Sequence, residues 1–139
     1  MNDVLKSPEI SIVVPTYNEE GNIYKLYEQI VENLIASSIK DYEIIYVDDG
    51  SSDASLKHIK ELNAKNPKVK FITFSKNFGH QNALRAGIDY AKGNAVISMD
   101  ADLQHPPELI PILIKYWEAG NKVVYTKRKN TNDLSFFKS

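Results

Sequence analysis

Four times in succession a short, β-rich and mainly apolar run gives way to a longer run whose apolar residues recur every three or four positions. That alternation constrains the fold more than any other feature of the chain, because βα units of this kind assemble around a mostly parallel sheet. The apolar runs predict strands at residues 10–14, 43–47, 69–74 and 95–99, with a fifth at 122–126. Nearly all are apolar stretches rather than alternating ones, as expected of strands covered by helices on both faces. Helices are predicted at 19–37, 53–65, 81–92 and 107–119. The first carries Ile23, Leu26, Tyr27, Ile30 and Leu34 on one stripe, the second Leu56, Ile59 and Leu62, and the third Leu84, Ile88 and Ala91. The fold class read from this pattern is α/β, a Rossmann-like and mostly parallel sheet with helices on both faces.

Ser51-Ser52-Asp53 suits the start of the second helix, and Asn66-Pro67 its stop. Gly93 is expected to close the third helix as a left-handed cap, and Gly120 the fourth. Pro107 suits the first position of a helix, where its missing N–H wastes no bond. At 139 residues the chain is expected to form a single domain, residues 1–139. After Thr126 the pattern gives out, and Leu134, Phe136 and Phe137 follow with no partner element to bury them. The expectation is therefore the N-terminal part of a longer protein.

A net charge of −1 supplies no general attraction to nucleic acid, so no nucleic-acid partner is expected. The absence of cysteine excludes a disulfide framework and a thiolate metal site, and fits the cytoplasm. No apolar run approaches the roughly 18 residues of a membrane span. By this reading the chain is soluble by itself, and membrane association is expected only through other parts of a longer protein.

In a parallel sheet the C-terminal ends of all strands share one edge, and ligands bind there. PTYNEEGN, DDGSSD, SKNFGHQ, DADLQHPP and KRKN are the loops on that edge. Asp100 and Asp102 flank Ala101, and on an extended strand both carboxylates share a face. Two carboxylates so close resist joint ionisation unless a cation neutralises them, and an all-oxygen site suits Mg²⁺ or Mn²⁺. A polar turn that caps the next helix is the plainer reading of the same residues. Turn and capping chemistry explains Gly50 to Asp53 but not Asp48 and Asp49. A carboxylate at the end of the second strand commonly accepts hydrogen bonds from a ribose, which makes Asp49 a candidate.

The first loop carries neither glycine-rich phosphate signature. Its Glu19 and Glu20 would repel a phosphate there, or simply complement the helix dipole. Tyr17 suits either contact with a nucleobase or half-buried packing on the sheet. Lys127-Arg128-Lys129 reads as a solvated basic loop or, through Arg128, as a pyrophosphate contact. His80 and His105 lie in the site loops, whereas His58 is expected to face solvent. No serine or cysteine sits in a nucleophile-elbow setting.

In order, IVVPTYNEEGNI, IIYVDDGSSD, NFGHQNALRAG and SMDADLQHPPELIP resemble the GT-A domain of family 2 inverting glycosyltransferases. The wording is most similar to the branch that loads sugars onto polyprenyl and dolichol phosphates, and the resemblance covers about residues 10–128. It implies a hexosyltransferase taking a nucleotide-sugar donor, a UDP-sugar ahead of GDP-mannose. The implied acceptor is a lipid phosphate or glycan, polyprenyl phosphate foremost, in cell-wall or polysaccharide synthesis at the cytoplasmic face of a membrane. Position by position, it implies Pro15, Tyr17, Glu19, Val47 and Asp49 around the nucleoside, Ala101 and Gln104 beside the donor, and Arg128 on the diphosphate. Asp100 and Asp102 become the catalytic pair that holds Mg²⁺ or Mn²⁺, with Asp102 the more direct ligand. The alternative is a donor-binding module that does not itself transfer. A haloacid-dehalogenase-like enzyme would need its D-x-D after the first strand, and a receiver domain its acidic pair there. Sugar-nucleotide pyrophosphorylases open with a glycine-rich arginine loop that PTYNEEGN does not supply.

Overall fold

The computed structural model describes residues 8–104 and 106–120 and the backbone of 136–138. Its elements run β1 (Ile10–Thr16), α1 (Ile23–Ala36), β2 (Tyr42–Asp48), α2 (Ser55–Lys65), β3 (Val69–Thr73), α3 (His80–Tyr90), β4 (Ala95–Ser98), α4 (Leu109–Glu118) and β5 (Phe136–Lys138). They form one sheet in the order β3-β2-β1-β4-β5. β1 to β4 are mutually parallel and β5 is antiparallel to β4, so the expected α/β class holds. One expectation is corrected here: Phe136 and Phe137 do have a partner element, since they form β5 and pair with β4, Phe137 opposite Val96 and Phe136 opposite Ile97. The strand expected at 122–126, His105 and the basic run 127–129 lie outside the described residues.

Alternate residues of the buried strands feed two layers. Ile10, Ile12 and Val14 of β1 and Ile44 and Tyr46 of β2 pack with Ile23, Leu26, Ile30 and Leu34 of α1, Ile59 and Leu62 of α2, and Ile110, Leu113 and Ile114 of α4. Val13, Ile45, Val47 and Val96 turn the other way, onto Ala83, Leu84 and Ile88 of α3. Three helices thus cover one face and α3 the other. Each fully buried Leu or Ile contributes about 1.5–3 kcal/mol, so the three-helix layer carries most of the apolar stabilisation. Among the described residues no helix is long and apolar enough to cross a membrane.

Two glycines set how closely α3 and its exit approach the sheet. A Cβ on Gly87 would lie 2.3 Å from Val13 Cγ1 and 3.0 Å from Val47 Cγ2. Gly93 is not the left-handed cap expected of it: α3 ends at Tyr90, Ala91 is extended, and positive φ occurs instead at Gly50, Gly79 and Gly120. A Cβ on Gly93 would lie 2.6 Å from the Ser11 backbone nitrogen, so that glycine permits a close crossing over the start of β1. Gly120, with φ 89°, does follow α4 in the left-handed conformation.

Candidate functional site

β1 lies between β2 and β4, so the order of travel across the sheet reverses beside it. That is the switch point at which α/β sheets open a crevice beyond the strand C-termini. Val13 O accepts from Met99 N at 2.9 Å, and Thr16 O accepts from Asp49 N at 2.8 Å. Odd-numbered residues of β1 therefore aim their backbone polar groups at β4, and even-numbered ones at β2. The missing N–H of Pro15 faces the β4 side beyond Ser98, where β4 has left the ladder. A proline in a central strand costs no ladder bond at that place.

The first two loops are clasped together. Asn18 has φ 52°, a left-handed conformation that asparagine tolerates. Its Oδ1 accepts from Ser52 N at 2.8 Å and Asp53 N at 3.3 Å, and its own N–H donates to Ser51 Oγ at 2.9 Å. Glu20 Oε1 accepts from Ala54 N, and Asp53 Oδ1 from Ser55 N, both at 2.8 Å. At the start of α2, where N–H groups have no partner within the helix, Ala54 N is thus satisfied by the neighbouring loop and Ser55 N by Asp53 of its own. Burial pushes the Asp53 carboxyl up, but hydrogen bonds from Ser55 and from the Glu20 N–H outweigh it and hold the pKa below the usual value. This clasp explains why α1 starts at Ile23 and not at 19: residues 18–22 serve α2 first. His58 joins it, with Nδ1 3.1 Å from Glu20 O and its ring 5.1 Å from that of Tyr24, and so does not simply face solvent.

Asp49 ties the third loop to the second. It is 3% exposed, and its two oxygens accept from Phe78 N at 2.7 Å and Gly79 N at 3.1 Å. Gly50, at φ 74°, lets the same loops touch: a Cβ there would lie 2.3 Å from Lys76 C. Asp48 is structural, accepting from Thr73 Oγ1 at 3.2 Å and Ser51 N at 3.4 Å. Between the loops lies a cavity of about 180 Å³ lined by Pro15, Thr16, Tyr17, Asp49, Asn77, His80 and Ala83. That is smaller than the roughly 300–1,000 Å³ of sites that enclose a whole drug-sized ligand. It has room for one end of an extended ligand.

The acidic turn adjoins it. β4 ends at Ser98, so Asp100-Ala101-Asp102 is not the extended strand end that the sequence suggested, but a turn containing Leu103 at φ 65°. Ala101 is buried and Leu103 packs against the core, while Asp100 is part exposed and Asp102 exposed. The two carboxylates thus stand toward solvent while their neighbours are anchored in the core, an alternation produced by a turn. A leucine with positive φ costs on the order of 1–3 kcal/mol, offset here by the burial of its side chain. Asp102 Oδ1 accepts from Gln104 N at 3.0 Å, and Asp100 Oδ1 lies 3.5 Å from His80 Nε2. α4 begins at Leu109, after Pro106 and Pro107, whose carbonyls accept from Leu109 N and Ile110 N.

Of the residues singled out in the sequence, Pro15, Tyr17 and Asp49 meet at the cavity. Asp100, Ala101, Asp102 and Gln104 form the adjoining turn. Val47 is fully buried against α3, and Glu19 turns its carboxylate to Asn22 Nδ2 at 2.9 Å. Arg128 lies outside the described residues. Thr16, Asn77 and Ala83 join the lining without having been singled out, and His80 proves more central than a loop histidine suggested. Their signal was that they lie in IVVPTYNEEGNI and NFGHQNALRAG, whose loops share the sheet edge. Among the described residues, no three His, Cys, Asp or Glu side chains gather as a metal cluster.

Comparison with known proteins bears on this arrangement. Residues 11–139 match the family described as "Glycosyl transferase family 2". "Uncharacterized glycosyltransferase YkcC" of Bacillus subtilis (strain 168) is 47% identical over 130 residues, 94% of this chain and 40% of that protein. The undecaprenyl-phosphate 4-deoxy-4-formamido-L-arabinose transferase of Proteus mirabilis is 41% identical over 140 residues, covering 100% of this chain and 43% of that protein. Among solved structures, the mannosyltransferase PcManGT from Pyrobaculum calidifontis, in complex with GDP-Man and Mn²⁺, aligns with a TM-score of 0.69 at 22% identity. That alignment covers 98% of this chain and 46% of the other, and the likeness is one of GT-A fold. The chain spans about two fifths of the length of the curated relatives it matches. On the family match and these identities, the chain belongs to glycosyl transferase family 2.

Proposed function

We propose that this chain holds the nucleotide-sugar donor of a glycosyltransferase whose acceptor is a polyprenyl phosphate, the sugar moving by a metal-assisted, inverting displacement. The observation that carries the reading is the juxtaposition at the switch point. A cavity lined by Pro15, Tyr17 and Asp49 adjoins a core-anchored turn that presents Asp100 and Asp102. Its size suits the nucleoside, which leaves the diphosphate and sugar to extend over the acidic turn. The undecaprenyl phosphate in the name of the Proteus mirabilis relative supports the lipid-phosphate acceptor.

The acidic turn fits a hard divalent cation. Mg²⁺ and similar ions are typically held by one or two carboxylates together with substrate phosphates and water, so a pair of carboxylates suffices without a third protein ligand. Asp100 and Asp102 would hold Mg²⁺ or Mn²⁺, with Asp102 the more direct, and the bound ion would neutralise charge on the departing nucleoside diphosphate. Asp49 keeps a lone pair on each oxygen beyond the bonds to Phe78 and Gly79, and so can still accept from a nucleoside while it fixes the loop. Glu19 and Val47 act from behind, one holding the first loop and the other the sheet beneath it. Gln104 is the proposed neighbour of the donor, and Arg128 its proposed diphosphate contact. A lipid phosphate arrives already anionic, so its attack on the anomeric carbon calls for no general base.

The test is transfer itself. The protein is incubated with UDP- and GDP-sugars in turn, a polyprenyl phosphate and Mn²⁺. The expected product is a lipid-linked sugar of inverted anomeric configuration, formed from one donor class and abolished by a chelator. Absence of lipid-linked product with every donor, or formation that persists under chelation, overturns the reading.

A further inference from the structure

His80 is the first residue of α3, and its placement is built by the loop in front of it. Phe78 N and Gly79 N donate to the Asp49 carboxylate at 2.7 and 3.1 Å. Gly79 has φ 105°, a backbone conformation that a side chain would strain. Gly50 lies directly against the backbone of Lys76 and Asn77. Fixed at these points on the second loop, the chain delivers the His80 side chain to the cavity wall, with Nε2 3.5 Å from Oδ1 of Asp100. The carboxylate at the nucleoside end and the carboxylate at the metal end are thereby joined through one short, tethered loop.

We propose that His80 is a positioning residue: its Nε2–H donates to Asp100 and holds that carboxylate toward the crevice, so that the acidic turn meets the cation and the donor diphosphate already ordered. The inference rests on the donor-site reading above. A neutral imidazole suffices, since it carries one N–H donor. Partners that orient metal ligands are typically worth 10–100-fold in metal affinity. At 3.5 Å, with the two side chains 40% and 28% exposed, the expected effect is at the low end, about tenfold.

The experiment measures Mn²⁺ affinity in the presence of UDP or GDP, reading free Mn²⁺ by electron paramagnetic resonance, alongside thermal unfolding. His80→Ala is expected to weaken Mn²⁺ binding about tenfold with no change in unfolding midpoint. His80→Gln, whose amide N–H has similar reach, is expected to recover most of that loss. Affinity in His80→Ala within about twofold of the parent, well short of the tenfold effect, overturns the inference. So does a glutamine variant as weak as the alanine one, because the imidazole would then be acting as a metal ligand in its own right. Binding that is lost in Asp102→Ala but unmoved in His80→Ala sinks this inference and leaves the donor site standing. No Mn²⁺ uptake with either nucleotide in the unmutated protein removes both.

Discussion

Replacing Glu43 by glutamine keeps the shape of the side chain and removes its charge at a point where three strands and a loop meet. Glu43 is 1% exposed, at the sheet edge opposite the site. Its Oε2 accepts from Ser11 Oγ of β1 and from Lys92 N, both at 2.6 Å, and its Oε1 from Lys70 Nζ of β3 at 2.8 Å. Glutamine does best with its carbonyl in the place of Oε2, which retains two bonds in neutral form, and its NH₂ toward Lys70, whose ammonium can turn to water. A hydrogen bond to a charged group contributes about 1.5–3 kcal/mol and a neutral one about 0.5–1.5, so those two bonds lose about 1 kcal/mol each. The Lys70 pair is 34% exposed on the lysine side and adds little. The expected loss is about 2 kcal/mol, a substantial part of the roughly 5–15 kcal/mol that holds a domain folded. The sign of the pH dependence follows. Burial alone would raise the Glu43 carboxyl, but Lys70, the Lys92 N–H and Ser11 together outweigh it and hold the pKa below the ordinary value. A depressed carboxylate stabilises the fold above its unfolded pKa and loses that contribution as pH falls through the folded value. The difference between parent and Glu43→Gln is therefore full at pH 7 and shrinks below about pH 4.3. Urea unfolding followed by fluorescence of Trp117, the single tryptophan, measures it at neutral and acid pH. A difference under about 0.5 kcal/mol at pH 7, or one that does not shrink in acid, would refute the reasoning.

Gly87→Ala sets a helix-propensity gain of about 1 kcal/mol against an overpacking cost of about 1–3 kcal/mol. With Val13 Cγ1 2.3 Å from the new Cβ, the clash wins, and the melting temperature should fall by several degrees; a rise would contradict the close seat of α3. In Asp49→Asn the amide must turn an N–H toward Phe78 N or Gly79 N. Nucleotide affinity should then drop about tenfold, equivalent to one lost charged bond, and unchanged titration isotherms would remove Asp49 from the site. Tyr17 is 47% exposed, so Tyr17→Ala should leave stability within about 0.5 kcal/mol while weakening nucleotide binding. Loss of stability without loss of binding would make Tyr17 a packing residue only.

Much of the architecture was legible because burial on both faces leaves a direct imprint: a strand such as Ile10 to Val14 is apolar except at Ser11, which is buried and hydrogen-bonded to Glu43. Element ends were less legible, since their causes are tertiary. Nothing local in Glu19-Glu20-Gly21 reveals that Asn18 and Glu20 are engaged with residues 52–54, which delays α1 by a turn. Gly93 looked like a cap because its real partner, Ser11, is distant in sequence. Asp100 and Asp102 were found by residue type, but their presentation depends on Leu103 adopting a conformation that leucine disfavours. Asn77 and Ala83 lie in the stretch NFGHQNALRAG, but nothing in their side chains marks a role, and only the folded sheet edge brings them to Asp49.

The central claim is tested most directly by calorimetric titration of the protein with UDP, GDP and their sugar conjugates, each with and without Mn²⁺. Saturable binding of one nucleotide class that requires the metal and disappears in Asp102→Asn is the predicted result. Binding indifferent to both Mn²⁺ and Asp102, or no binding of any nucleotide, would contradict it.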